Sequence, residues 1–292
     1  MTKKLTPFFA VLFTATLLTG CSVLSPSDAG NSSQESPAAP EHGPDNAALD
    51  EALSEWEPLS EFAPQPFDKS TGDFSAADMK FMSKEISNFA KVATTEERVL
   101  LTEDLDATAD SISRVLPYRI VGMMNEHLTP TEAGTYPTQG MAWATRLPTG
   151  STLLDTSAYT YAWHAKEKEY EDGVPGVTLT LAWRVVYRYV DPEGIERALP
   201  VYRWYSLNSP DVEWSDRESS WNFSSNVVTT NDTCAWAKDG ALTADFQPSQ
   251  INLEEWPMLT TEVGEYQSFT QYTKENPTPT PEDIADEVAA CA

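Results

Sequence analysis

Hydrolytic chemistry needs a nucleophile and a base placed to activate it, and histidine is the usual base near neutral pH. The chain has three histidines, His42, His127 and His164, and no Gly-x-Ser-x-Gly elbow to present a serine. His127 falls in Asn125-Glu126-His127 beside an expected helix end, where a capping or otherwise satisfied polar role accounts for it. His164 shares a strand face with Thr160, Ala162 and Lys166, while Tyr159, Tyr161 and Trp163 point to the opposite face. Glu167, Glu169 and Glu171 follow on that opposite face and run into a Gly/Pro turn, so this hairpin end is expected to be exposed and hydrated. A small hydrolase or isomerase using His164, or a carboxylate of raised pKa in a pocket of the sheet, is the catalytic alternative.

Metal and phosphate chemistry find less to work with. There is no His-Glu-x-x-His, no cysteine pair at zinc spacing and no Asp-x-Asp-x-Asp-Gly calcium loop. Asp211, Glu213, Asp216 and Glu218 cluster in one segment, expected to be hydrated rather than to hold a cation. Neither Gly-x-Gly-x-x-Gly nor a Walker loop is present, and no cofactor is implied. Acidic residues number 45 against 19 basic ones, a formal charge of −26. Such a surface repels phosphate backbones and anionic headgroups alike, which excludes nucleic acid as a partner class.

Aromatic residues are the remaining resource. The nine tryptophans all lie between Trp56 and Trp256, and such rings serve equally as core or as stacking platforms. Trp183 and Tyr187 read as core, and Trp204 fits either role. Trp214 and Trp221 flank the acidic loop, so Trp214, Trp221 and His164 are the candidate ligand-contacting residues.

These side chains must be positioned by the elements around them. Leu49, Leu53 and Trp56 have helical spacing, after which Pro58, Pro64 and Pro66 impose an irregular segment. Ser75-Ala76-Ala77-Asp78 has the form of a capping box, and Met82, Ile86, Phe89 and Ala93 make one apolar stripe of a helix. A second helix is expected over 102–116, ended by Pro117, and a short third over 120–128. Thr129 to Gly140 is rich in turn residues, and beyond it the chain becomes aromatic and β-branched. Val177, Leu179, Leu181, Trp183, Val185, Tyr187 and Tyr189 line one face of a long strand, with Thr178, Thr180, Arg184 and Arg188 on the other. Asp191-Pro192-Glu193-Gly194 suits a type I turn, which returns the chain as a partner strand. The result is a three-stranded antiparallel meander over 158–170, 177–190 and 195–207. Further strands are expected over 221–230, 241–246 and 263–272. Asn276 to Pro281 cannot join a central sheet, and 282–290 suits a short helix. No fixed-period repeat is visible.

The beginning of the chain bears on compartment. Lys3 and Lys4 precede an apolar run from Pro7 to Leu18 that has the length of an export signal rather than of a membrane span. Leu18-Thr19-Gly20-Cys21 resembles the lipobox of bacterial lipoproteins, a likeness confined to residues 1–21. The resemblance implies cleavage before Cys21, a diacylglycerol on its thiol, and membrane contact through covalent lipid on the extracytoplasmic face. Paired acyl chains suffice for this, since each buried methylene adds roughly 0.8 kcal/mol. Residues 22–48 are rich in Ser, Pro, Ala and acidic residues, and a coil of ~27 residues spans roughly 30 Å. With Cys21 assigned to lipid, Cys234 and Cys291 are left as a pair in an oxidising compartment. Joined, they would close a long loop worth about 4 kcal/mol in the chain-entropy model; two free thiols are the alternative.

The expected organisation is therefore a signal over 1–20, an acidic tether over 21–48, and one α+β domain over 49–292. In that domain helices (49–128) pack on a twisted antiparallel sheet (141–272), followed by a C-terminal tail (273–292). Helices before long strands is also the order of cone-shaped nuclear-transport-factor-like domains, which the chain resembles in that order alone and from which no residue is carried over. The expected function is non-catalytic binding of a ligand or partner protein in the cell envelope, through the concave or aromatic side of the sheet. Besides the catalytic alternative, an acidic accessory factor for envelope protein assembly is a third possibility.

Overall fold

Long β-branched and aromatic strands dominate the architecture. The computed structural model describes residues 46–101, 105–115, 118–170, 173–211, 221–229, 233–276, 288, 290 and 291. The signal, Cys21, most of the tether, Trp214, Glu213, Asp216, Glu218 and nearly all of the 282–290 helix lie outside the described residues. Residues 43–292 form one compact unit.

Six antiparallel strands make one open sheet: β1 (Glu57–Pro58), β2 (Thr152–Leu153), β3 (Ala158–Glu169), β4 (Pro175–Val190), β5 (Glu196–Pro210) and β6 (Asn222–Thr229). Their spatial order is β1-β3-β4-β5-β6, and β2 pairs with β4 beyond the end of β3. The expected meander is present within a few residues at each end. Its central turn forms as read: Gly194 has φ +82° and its N–H donates to the Asp191 carbonyl at 2.9 Å. The Asp191 carboxylate accepts from the N–H groups of Glu193 and Ile195, both at 2.9 Å, and from Arg197 Nε at 2.8 Å.

The first face of the sheet carries the odd-numbered residues, including Leu181, Trp183, Val185, Val201 and Tyr205, all fully buried. Against it packs α2 (Ala76–Thr94), which begins with the expected capping box: Asp78 N–H donates to Ser75 Oγ at 3.2 Å and Ser75 N–H to the Asp78 carboxylate at 3.0 Å. Met82, Ile86, Phe89 and Ala93 are its buried stripe. Phe89 meets Tyr205 and Phe223 edge-on at 5.0 and 4.8 Å, arrangements that add to area burial.

The second face is covered too, at one end. Leu49 and Leu53, on and just after α1 (Ala47–Ala52), join Trp56, Val186, Tyr202, Trp204, Met258, Leu259 and Tyr272 in a separate core. Arg184 is buried here, and its guanidinium donates to the carbonyls of Met258 (2.9 Å), Thr261 (2.7 Å) and Glu262 (2.6 Å). Arg188, also buried, pairs with Asp50 at 2.6 Å and Glu196 at 2.7 Å. Of the polar alternate positions of this strand, Arg184 and Arg188 are therefore anchors for a second layer.

The helix expected over 102–116 is present as α4 (Leu105–Ser113), with the single turn α3 (Glu97–Leu100) before it, and the short third helix is α5 (Tyr118–Leu128). Several expectations are corrected. The segment 241–246 is irregular: Leu242 N–H donates to the Arg146 carbonyl and Ala244 N–H to Tyr189 Oη, so its donors go to other partners than a ladder. Two further short helices, α6 (Gly140–Trp143) and α7 (Thr233–Asp239), arise in turn-like sequence. The strand expected over 263–272 is instead a loop leading into α8 (Phe269–Glu275). Ser268 Oγ accepts from Gln271 N–H at 3.1 Å, and Phe269 and Tyr272, three apart, both pack on Trp204. Period-two alternation and helical spacing coincide in that short stretch, and tertiary packing selects the helix.

Candidate functional site: the free edge of the sheet

The aromatic rows that make up the first face are in the core. Trp221, expected at an exposed loop, is 3% exposed: the alternation that places Phe223 inward places residue 221 inward as well. Its ring lies 5.8 Å from Phe81 of α2, and Nε1 donates to Ser209 Oγ at 3.2 Å. Trp204, which fitted either role, is 2% exposed and donates to the Gln267 carbonyl at 2.7 Å. Trp214 lies outside the described residues. His127 Nδ1 accepts from Trp143 Nε1 at 2.9 Å, a satisfied structural role.

His164 is neither fully exposed nor enclosed. Its ring stacks on Tyr266, centroids 4.2 Å apart and planes within 7°, so the loop that leads into α8 shields a residue expected to be hydrated. Burial, and then the neighbouring Lys166 charge, hold its pKa below the ordinary imidazole value. Across the strands it faces Thr180 and then Ser206, whose hydroxyls share a hydrogen bond of 2.8 Å. One row further, Thr178 Oγ1 donates to Asn208 Oδ1 at 2.6 Å. This half of the second face is a polar patch whose hydroxyls are occupied with each other. Among the described residues no group of three or more His, Cys, Asp or Glu side chains is placed to hold a metal ion.

The accessible unsatisfied chemistry is in the backbone of β3. Leu59 N–H donates to the Ser157 carbonyl at 2.9 Å and Glu57 pairs with Tyr159, so odd-numbered residues of β3 direct N–H and C=O away from β4. β1 covers that edge only at Ala158 and Tyr159. Beyond it, among the described residues, no backbone hydrogen bond reaches the outward groups of Tyr161, Trp163, Ala165 or Glu167. The far part of the edge, Lys166-Glu167-Lys168-Glu169, is charged and exposed, the usual guard against unwanted strand pairing. Tyr161 to Ala165 has no such guard.

A cleft of about 340 Å³ opens along this unguarded stretch, lined by Glu55, Glu57, Tyr159 to Trp163, Val263 and Gly264. One wall is the loop held by Arg184; Val263, 48% exposed, projects from it. Gly264 stands beside the Tyr161 carbonyl oxygen with φ +77°, a left-handed conformation that favours glycine. On the opposite side the segment from Phe62 to Phe67, held extended by Pro64 and Pro66, lies over the strand. Tyr159 Oη accepts from Ala63 N–H at 3.1 Å, Tyr161 Oη accepts from Gln65 N–H at 2.8 Å, and Trp163 Nε1 donates to the Gln65 carbonyl at 2.8 Å. The polar atoms of these aromatic side chains are thus engaged, and the strand offers a newcomer its main chain. Of this site the sequence marked only His164; Glu55, Glu57, Val263, Gly264 and Tyr266 come together through sheet register and a loop with no motif of its own.

Comparison with known proteins finds no matching family model, curated protein or solved structure.

Proposed function

We propose that the chain is a lipid-anchored, extracytoplasmic binding protein whose globular part takes an extended segment of a partner protein along the free edge of β3. The observation that carries the reading is the run of outward N–H and C=O groups from Tyr161 to Ala165 that no backbone hydrogen bond reaches among the described residues, with a cleft rather than a charged guard beside Tyr161 to Trp163. Both aromatic layers are consumed by cores, so binding through the edge replaces binding through the sheet face. Strand addition of this kind takes its affinity from main-chain hydrogen bonds and its selectivity from alternate side chains. A non-catalytic role is favoured over a hydrolytic one because His164 packs face-on to Tyr266 and the nearby Thr180 and Ser206 hydroxyls bond each other, so that among the described residues neither hydroxyl is aligned with His164 as nucleophile to base.

Amide hydrogen exchange tests the edge directly. The N–H groups of Tyr161, Trp163 and Ala165 should exchange much faster than those of Ala162 and His164, which face β4. Equal protection would mean that the edge is already occupied and would remove the reading. The anchor rests on the Leu18-Thr19-Gly20-Cys21 resemblance. Among the described residues no helix is long and apolar enough to cross a membrane. Cys21→Ala is expected to shift the protein from the membrane pellet to the soluble fraction and to block lipid labelling; a Cys21→Ala protein still retained by membranes would refute lipid anchoring at that residue.

A further inference from the structure

Resting on the strand-addition reading, we infer that the segment received by the β3 edge is a cationic, extended peptide. Glu55 and Glu57 line the cleft, and Glu262 and Glu265 bracket the Val263-Gly264 wall; all four are exposed. Among the described residues no Lys, Arg or His lines the cleft. Arg184 stands behind the wall with its donors committed to the carbonyls of Met258, Thr261 and Glu262. Lys166 and Lys168 lie beyond the open stretch, alternating with Glu167 and Glu169. An occupant therefore meets main-chain donors and acceptors along its length and carboxylates at the β1 end and along the wall. Val263 supplies an apolar contact for a small aliphatic side chain between the charges.

The chain itself demonstrates the pairing mode, because Glu57 and Pro58 already add to this edge for two residues. A second copy is a poor occupant. Antiparallel self-pairing centred on Trp163 would set the partner copy's Glu167 opposite Tyr159, the place held by Glu57, and would bring like charges together on chains of net charge −26. The same charge favours a basic partner and speeds its approach at low salt.

The test uses the full chain in detergent and three end-blocked hexapeptides in which Val alternates with Lys, Gln or Glu. The Lys/Val peptide should slow exchange of the Tyr161, Trp163 and Ala165 amides. It should bind roughly tenfold tighter than the Gln/Val peptide at low ionic strength, with the advantage shrinking as salt is added. Glu55→Gln combined with Glu262→Gln should narrow that gap without changing the fold. Ala165→Pro removes one outward N–H while sparing the ladder to β4, and should abolish binding of every peptide. If all three peptides protect the edge equally, the cationic inference fails and strand addition stands. If none protects it, strand addition itself fails.

Discussion

Arg203→Met should cost about 3–5 kcal/mol of folding stability, because it strips the guanidinium donors from a set of buried carbonyls. Arg203 is fully buried in the first face of β5 between Val201 and Tyr205. Its guanidinium donates to the carbonyls of Met141, Ala142 (2.9 Å) and Ala144 (3.0 Å) and to Thr145 Oγ1 (2.8 Å). These are the carbonyls that the single turn of α6 leaves without partners in its own backbone. Tyr205 Oη supplies the remaining one, donating to Trp143 O at 3.3 Å, and Ser225 Oγ shares Ala142 O. A cation at a helix C-terminus also meets the negative end of the backbone dipole, which helps a charge that has no carboxylate beside it among the described residues. A helix turn of only Gly-Met-Ala-Trp has no stability of its own, so it exists because β5 holds it. Loss of Arg203 should therefore release α6, raise amide exchange in residues 140–145, and lower Tm by roughly 10 °C for a chain of this size. Arg203→Lys, one point donor in place of a planar fork, should recover only part of the loss. An Arg203→Met protein within 1 kcal/mol of wild type in reversible denaturation would show that the carbonyls find water or other donors.

That arginine also shows where sequence reading stops. Leu181, Trp183 and Val185 announce a buried strand face by alternation, Ser75 and Asp78 announce a helix start, and Asp191 to Gly194 announce a turn. Each is a local pattern with a local cause, and each is present in the fold. Arg203 sits at an inward position among Val201 and Tyr205, where a pattern of alternate apolar residues can register it only as an exception. Its partners lie about sixty residues earlier, in turn-like sequence that shows no helix until the arginine docks on it. Arg184 and Arg188 marked the other face of the strand as polar, yet their buried heads clamp the 258–262 loop and α1 to that face. For the same reason the candidate site was only partly legible. His164 could be placed on a strand and on a face, but the loop that supplies Tyr266, Val263 and Gly264 is fixed by Arg184, not by any period of its own. The open edge of β3 depends on how few residues of β1 pair with it, and a two-residue strand leaves no trace in a hydropathy pattern.

Removing the disulfide should loosen that loop and the second layer with it. Cys234, on α7, is joined to Cys291, with Cα atoms 5.4 Å apart and a sequence separation of 57. Closing a loop of that length restricts the unfolded chain by about 4 kcal/mol in the chain-entropy model, an upper figure for the cost of Cys234→Ser with Cys291→Ser. The enclosed segment carries Met258, Leu259 and Tyr272, which cover the second face, and the carbonyls that satisfy Arg184. One end of the loop is seated on the first core through α7. Trp236 is buried, donates from Nε1 to the Pro137 carbonyl at 2.9 Å, and with Tyr136 cages the Arg146 guanidinium, whose pKa burial lowers to about 10. The double serine variant should thus denature at lower urea concentration, lose exchange protection over residues 251–275 before the β4–β5 ladder, and match wild type treated with reductant. Because residues 258–264 form the wall of the β3 cleft, the same variant should bind the Lys/Val peptide more weakly even where it remains folded. A double variant as stable as the oxidised protein, with its cleft intact, would mean that packing and the Arg184 hydrogen bonds hold the covering layer without the bridge, which then contributes nothing beyond joining Cys291 to α7.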